Sequence, residues 1–547
     1  MKTGGEILIE CLEAQGVDRV FCVPGESYLA VLDALHDSPI ETVVARQEGG
    51  AAMMAEADGK MTGRPGICFV TRGPGATNAA SGVHVAKQDS TPMILFVGQI
   101  GRRMRGREAF QEVDYRQTFG DLAKWVDEID HVDRIPEIVS HAYHIAMSGR
   151  PGPVVLALPE DMLTEVCECV SGPRVEVAEP APSPQAIEIF DQMLEPAEKP
   201  LLILGGSRWS EKAVGQIKDF AELWGLPVGC SFRRQQLFDH LHPNYAGDVG
   251  LGINPALKSR LEDSDLVILL GARFSENPSQ GFSIFDIPKT QQKLVHIHPG
   301  PEELGRIYVP DLSINATPEM FLSAASHLVP SQKRDAPVQE HDAYRNWTDT
   351  VPANVGDVQM ADVMDHLRVN LPEDAILANG AGNYAIWLHR FWRFRQYGTQ
   401  LAPTSGSMGY GLPAAVAAKL RHPEKDVICF AGDGCFQMTL QEFGTAVQFG
   451  ANLVVLLFDN GVYGTIRMHQ EREYPTRISG TDLHNPDFSM LAKAYGGYSE
   501  TVTKSDEFAP AFERARKSGQ PALLHIRSDP EAITPTTTLS ALRKLKA

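Results

Sequence analysis

Short apolar runs that end in Gly, Pro or Asn alternate along this chain with amphipathic stretches. The runs at 20–24, 42–45, 66–71, 93–98 and 154–159 predict strands, and 51–60 and 76–87 between them have helical composition. Strands that are apolar throughout are covered on both faces, and their alternation with helices marks a parallel sheet. Two proline-rich stretches interrupt the pattern. Residues 172–185, with Pro173, Pro180, Pro182 and Pro184, and 329–339, with Pro330 and Pro337, read as extended linkers. Between them the same grammar returns at 200–205, 226–230, 266–271 and 293–298, and after them at 375–379, 427–432, 452–459 and 522–526. The expected fold is α/β, with three doubly wound parallel-sheet domains at 1–172, 186–329 and 345–547.

Length alone, 547 residues, would allow three or four domains of about 150 residues; the pattern makes it three. Fifty Lys and Arg against 69 Asp and Glu leave a formal charge of −19, a poor surface for nucleic acid or an anionic membrane. No apolar run approaches the ~20 residues that span a bilayer. The N-terminus has Lys2 but no sustained apolar core or small-residue cleavage site, so no signal peptide is expected, and a cytoplasmic protein is. Most of the eight cysteines lie inside apolar runs (Cys22, Cys68, Cys230, Cys429) and read as reduced core residues. Cys167 and Cys169 make a CxC, whose spacing favours an incidental pair over a metal clip.

Ligands of open α/β sheets sit beyond the carboxyl ends of the strands. There the third domain carries Gly432-Asp433-Gly434 after one strand and Asp459-Asn460 after another, which places the Asp433 and Asn460 side chains side by side. Oxygen donors from Asp, Asn and a backbone carbonyl suit Mg²⁺ or Ca²⁺ completed by phosphate and water. Gly432 and Gly434 let a diphosphate approach the backbone, and a helix expected over 437–449 offers it a positive N-terminus.

This Gly-Asp-Gly and Asp-Asn spacing resembles the signature of thiamine-diphosphate-dependent enzymes, and the resemblance extends over essentially the whole chain. It implies pyrimidine-binding, central and diphosphate-binding domains in this order, with each active site built between two subunits of a homodimer or homotetramer. By that resemblance Asp433, Asn460 and the carbonyl of Val462 hold Mg²⁺. Gly382, Asn383 and Tyr384 form a second diphosphate loop, and Gly432, Gly434, Cys435, Gly464 and Thr465 complete the diphosphate surface. Met408 buttresses the bent cofactor. In the first domain 46–52 resembles the catalytic-glutamate segment. Glu48 would bond the pyrimidine nitrogen and so drive the imino tautomer that removes the thiazolium proton; the alternative is that Glu48 caps the following helix. Residues 71–78, with Thr71 and Asn78, resemble the glycine-rich turn at the pyrimidine, and Pro24 has similar standing.

Within the family, 89–92, 109–112, 149–153 and 271–274 are similar to catalytic subunits of acetolactate synthase. That likeness places Phe110 and Gln111 at the active-site entrance, with Gln111 bonding a substrate carbonyl. Three departures stand out. Asn277 replaces a substrate-positioning arginine, Glu160 a lysine, and His469 a tryptophan of the acceptor pocket. Arg467 and His469, on a helix expected over the site, are then the candidates to receive the substrate's side chain or carboxylate. The likeness also puts FAD against Gly205-Gly206-Ser207, Arg273 and 296–299. His296 and His298 stand where an acidic pair is usual, so FAD is a weak expectation, and the two histidines read as structural. The implied activity is Mg²⁺- and thiamine-diphosphate-dependent decarboxylation of a 2-oxo acid, with ligation of the resulting carbanion to a carbonyl acceptor. Simple decarboxylation, 2-hydroxyacyl lysis and a non-catalytic regulatory paralogue are the alternatives. The first domain lacks the His-His pair of pyruvate decarboxylases, which leans toward ligation.

Overall fold

The computed structural model describes residues 1–544; the last three residues of the expected third domain, 545–547, lie outside the described residues. Three six-stranded sheets, parallel at every pairing, follow one another along the chain. The first runs spatially Glu41–Val44, Arg19–Cys22, Gly66–Val70, Met93–Gln99, Pro153–Pro159, Trp125–Glu128. The central sheet runs Tyr245–Val249, Val228–Ser231, Pro200–Leu204, Leu266–Leu270, Lys293–His298, Leu312–Asn315. The third runs Gln400–Leu401, Ile376–Asn379, Val427–Gly432, Val454–Asp459, Ala522–Arg527, Tyr498–Val502. Among the described residues no helix is long and apolar enough to cross a membrane.

Every strand expected from an apolar run is present, because central strands are buried on both faces and leave an unbroken apolar signature. The strands not foreseen lie mainly at sheet edges, where one flank meets solvent. Trp125–Glu128 carries Asp127 and Glu128 and is only half-buried along its length. Cys167 lies in a short strand, Val166–Cys167, that pairs antiparallel with Lys2–Thr3, and no cysteine is bonded to another.

Two helices differ from expectation. The one read at 51–60 spans Glu48–Thr62, and its N-cap is Gln47, whose amide oxygen accepts the N–H groups of Gly49 (2.6 Å) and Gly50 (3.1 Å). The single helix read at 437–449 is two, Asp433–Gln437 and Glu442–Gln448. The break falls where the Thr439 hydroxyl donates to the carbonyl of Gly409 (2.7 Å), which turns the chain out of the helical path.

Helix Glu48–Thr62 lies between Pro74–Asp89 of its own domain and Gly411–Arg421 of the third. Small side chains on both sides (Ala51, Ala52, Ala55; Ala414, Ala415, Ala418) merge the two domains into one apolar core. That packing fixes the segment carrying Glu48 relative to the segment carrying Asp433.

Candidate active site

Past the carboxyl ends of strands Ile376–Asn379, Val427–Gly432 and Val454–Asp459 lies a cavity of about 270 Å³. Gly382, Asn383, Tyr384, Met408, Gly432, Asp433, Gly434, Cys435, Asn460, Val462, Gly464 and Thr465 all line it. The two loops facing each other across it are tied together: the Thr465 hydroxyl donates to Asn383 Oδ1 at 2.8 Å. Tyr384 donates its phenol to Cys435 Sγ (3.2 Å), which also accepts the N–H of Gly409 (3.2 Å). Gly434 has no room for a side chain, since a Cβ there would stand 2.5 Å from the Tyr463 ring. No Lys, Arg or His is among the residues lining this cavity.

Asp433 is buried at its base. Its Oδ1 accepts the N–H of Gly434 (2.8 Å), and its Oδ2 accepts the N–H of Gly461 (2.9 Å) and the amide of Asn485 (2.7 Å). Burial nevertheless pushes its carboxyl up to about 6, with the neighbouring charge of Asp459 adding to the rise. Asp459 is the opposite case. Burial raises it, but His525 (2.8 Å), the same Asn485 amide (2.7 Å) and Arg527 outweigh that and hold it at about 2.

Asn460 Oδ1 accepts the N–H of Val462 (3.2 Å), a turn that holds the amide oxygen and the Val462 backbone together beside Asp433. The donor set is one carboxylate, one amide oxygen and one carbonyl. Among the described residues no group of three or more His, Cys, Asp or Glu is arranged to hold a metal. A divalent cation taken with a phosphate therefore fits these oxygens better than one held in an all-protein cage. A buried carboxylate with a raised pKa and no cation beside it, next to a glycine-lined wall, fits Mg²⁺ and a diphosphate.

The first-domain residues assemble separately. Glu48 opens its helix, and because Gln47 supplies the cap its carboxylate is free of that duty and accepts instead from the Asn78 amide at 2.9 Å. Thr71 Oγ1 bonds Ser27 Oγ (2.8 Å) beside Gly25, and Pro24 is exposed next to them. Gln111 adopts φ +63°, a left-handed conformation that non-glycine residues rarely hold, and Phe110 before it is 73% exposed. None of Glu48, Thr71, Asn78 and Gln111 lines the cavity of the third domain. Within one chain the two halves of the expected site stand apart.

Arg467 and His469 do not face the cavity of their own chain. Arg467 is buried and donates to Thr481 Oγ1 (2.8 Å) and to Asp482, while His469 is exposed and bonded to Arg472 (2.7 Å). Within one chain, then, the Arg467 guanidinium is turned to the exposed Asp482 rather than to the cavity. His296 and His298 are buried, one on the carbonyl of Ala272 (3.0 Å), the other on Gly300 (3.0 Å), and burial pushes both down to about 4. They are neutral structural groups. The carboxylate beside them, Glu303, is already paired with Arg150 (2.7 Å) and Arg306 (3.2 Å), so these residues lend a flavin no support, and no step is assigned to one. Asn485, His525 and Arg527 were not legible as site residues, and Asp459 was read only as the neighbour of Asn460 in the motif. Asn485 comes from an irregular segment, whereas the pairing of Asp459 with Arg527 across adjacent strands follows only once the sheet order is known.

The fold and this site define a class. Residues 2–118, 187–325 and 380–526 match, in order, the N-terminal binding, central and C-terminal binding domains of the thiamine pyrophosphate enzymes. The chain belongs to that family and is a thiamine-pyrophosphate-dependent enzyme.

More particularly, it is 32% identical to the acetolactate synthase large subunit of Corynebacterium glutamicum, over 94% of this chain and 85% of that protein. It is 31% identical to the acetolactate synthase isozyme 2 large subunit of Escherichia coli, over 96% and 95%. A probable acetolactate synthase large subunit of Methanocaldococcus jannaschii is 29% identical over 97% and 93%.

Proposed function

We propose that this protein is a Mg²⁺- and thiamine-diphosphate-dependent carboligase, which decarboxylates a 2-oxo acid and joins the remaining acyl unit to a carbonyl acceptor. The observation that carries the reading is the buried Asp433 carboxylate, beside Asn460 and Val462 and facing a glycine-lined wall, with Glu48 freed from helix capping in the first domain.

Asp433, Asn460 and the Val462 carbonyl would hold Mg²⁺. Gly382, Asn383, Tyr384, Gly432, Gly434, Cys435, Gly464 and Thr465 would receive the diphosphate, with Met408 under the bend and Pro24, Thr71 and Asn78 at the pyrimidine. When bound, thiamine diphosphate supplies the nucleophilic carbon and the electron sink that decarboxylation of a 2-oxo acid needs. Glu48 would exchange a proton with the pyrimidine nitrogen of the bound cofactor, and Asn78, which donates to its carboxylate, would fix its direction. Gln111 donates its amide to a substrate carbonyl. Because the two halves stand apart within one chain, a homodimer is the smallest working unit, each site pairing Glu48 of one copy with Asp433 of the other.

The test is a screen of 2-oxo acids with Mg²⁺ and thiamine diphosphate that follows CO₂ and ligated product together. Both are expected with wild type. Glu48→Gln should lower turnover by about 10²–10⁴-fold while leaving the far-UV spectrum and diphosphate binding intact. Asp433→Asn should abolish Mg²⁺-dependent cofactor binding. Neither CO₂ nor product from any 2-oxo acid would overturn the reading.

A further inference from the structure

Strand Leu266–Leu270 runs out into a tight turn. Gly271 has φ +72° and Phe274 φ +47°, the left-handed region, where a bulky side chain persists only if its surroundings over-determine it. Phe274 is 1% exposed and stacks on Phe285 at 5.0 Å, which anchors the turn in the core of the central domain. Arg273, Ser275 and Asn277 are left along one cavity of about 70 Å³, which Ser231, Asp89 and Arg234 also line.

Every other charge lining this cavity has a partner. Arg234 gives its donors to the carbonyls of Gly206 (2.8 Å), Arg233 (3.1 Å) and Asp89 (2.9 Å). The Asp89 carboxylate is taken by Lys60 (2.5 Å) and by the N–H of Thr404 (2.7 Å). Glu303, the other carboxylate that acts on Arg273, is paired with Arg150 and Arg306. Arg273 is different. Its guanidinium makes one hydrogen bond, to the carbonyl of Gln88 (2.7 Å), and among the described residues it has no carboxylate partner. Burial pushes it down to about 10, the mark of a cation taken out of water without a counter-charge. The side chains of Ser231, Ser275 and Asn277 make no hydrogen bond among the described residues either.

A planar guanidinium with open donors, two hydroxyls and an amide around so small a space is the recognition set for a carboxylate. The cavity adjoins the proposed active site. Thr404 lines it, while Gly406 and Met408 line the cofactor cavity, so at most about 14 Å of chain separates the two. Of the two carboxylates in a ligation of 2-oxo acids, only one gains from a cation. A cation beside the donor's carboxylate would stabilise the ground state more than the departing CO₂ and so slow its loss. The acceptor keeps its carboxylate through the transition state. Asn277 stands where a substrate-positioning arginine was expected, and Arg273, four residues earlier, brings a guanidinium to the same cavity.

We propose that Arg273 is the specificity-determining residue for the acceptor: its guanidinium, with Ser275 and Asn277, holds the carboxylate of a second 2-oxo acid. This rests on the carboligase reading above. The donor's bond to its carboxylate breaks and CO₂ leaves, the donor's former keto carbon bonds the acceptor's keto carbon, and the acceptor's carbonyl oxygen takes up one proton. The product is a 2-hydroxy-3-oxo acid that retains the acceptor's negative charge, and no outside oxidant or reductant is needed.

The experiment gives the holoenzyme the best 2-oxo acid of the screen, ¹³C-labelled, with equimolar acetaldehyde as a neutral rival acceptor, and reads both ligated products by NMR. The ratio of hydroxy-oxo acid to hydroxy ketone cancels any general loss of activity. Arg273→Gln should lower that ratio at least tenfold, and Arg273→Lys, which keeps the charge but not the planar fork, should fall between that variant and wild type. An unchanged ratio in Arg273→Gln, or a wild type that makes the hydroxy ketone alone, overturns the proposal. Release of CO₂ without either product by the wild type overturns the carboligase reading instead. A second readout is independent of turnover. Phenylglyoxal, which modifies guanidinium groups, should label Arg273 at least threefold more slowly when the inert carboxylate 2-hydroxy-2-methylpropanoate is present, while labelling of the exposed Arg103 is unchanged. Equal labelling of Arg273 with and without it, read by peptide mass spectrometry, overturns the proposal.

Discussion

Asn485 illustrates how the site depends on residues that carry no motif. Its single amide donates to Asp433 and to Asp459 at 2.7 Å each and so separates two buried carboxylates that would otherwise repel. The strand-end rule pointed to Asp433 and Asn460 from their positions after apolar runs, and both line one cavity. It could not reach Asn485, because nothing in an irregular segment says which strand end it folds over. Glu48 was legible as a candidate, but its freedom depends on Gln47 acting as the cap, a choice that only the backbone reveals. On the proposed Mg²⁺ reading, Asn485→Ala is expected to weaken Mg²⁺ affinity by about 10–100-fold, the usual effect of removing a group that orients a metal ligand. A Mg²⁺ titration of the protein with thiamine diphosphate, read by calorimetry, checks this; unchanged affinity would mean that the Gly461 N–H alone keeps the carboxylates apart.

Among elements, burial on both faces separates what the pattern foretold from what it did not. Val427–Gly432 and Val454–Asp459 are buried almost throughout and were visible as apolar runs, whereas the half-buried Trp125–Glu128 was not. The broken helix after Asp433 was hidden for another reason: its sequence is helical, and the interruption comes from a tertiary hydrogen bond of Thr439. The break delivers Glu442 to the start of the second piece. Fully buried there, its carboxylate accepts the N–H of Arg46 (3.2 Å to each oxygen) and the hydroxyl of Thr445 (2.7 Å), and so joins the third domain to the segment leading into Glu48. Glu442→Ala should cost about 0.5–1.5 kcal/mol in urea unfolding by removing the acceptor of the Arg46 N–H and the Thr445 hydroxyl. Gly50→Ala should act in the same direction, because its Cβ would stand 2.5 Å from Glu442 Oε1. The double variant should cost less than the sum, since both changes strike one contact.

Across the whole molecule, buried charges are arranged differently at the domain junctions and inside the central domain. Where the three domains meet, Asp89 and Glu56 are matched by Lys60 and Arg234, and the Thr404 and Tyr410 hydroxyls complete the set. The central domain instead buries imidazoles and a carboxyl that burial holds toward their neutral forms. Burial pushes His240 down to about 3 and His296 and His298 to about 4, and it pushes Asp248, one of whose oxygens lacks a hydrogen-bond partner, up to about 7 beside Arg233. The two kinds of group act with opposite sign. An unfolded histidine takes its proton below about 6.5 while these folded ones refuse it, so each removes stability as pH falls from 6.5 toward 4, about 2 kcal/mol by pH 5. A carboxyl with a raised folded pKa costs nothing below about 3.8, destabilises progressively as pH rises to 7, and costs a constant amount above that. Three histidines outweigh one aspartate below pH 6.5, and the surface carboxylates behind the −19 charge stay ionised over most of that range. Central-domain stability, followed by hydrogen exchange against pH, is therefore expected to climb from pH 4 to about 6.5 and then to decline slightly. Asp248→Asn isolates the opposing group: it should be more stable than wild type by about 2–4 kcal/mol at pH 8, with the two converging near pH 4. A constant difference across the range would mean that Asp248 is already ionised and paired with Arg233 in the folded protein.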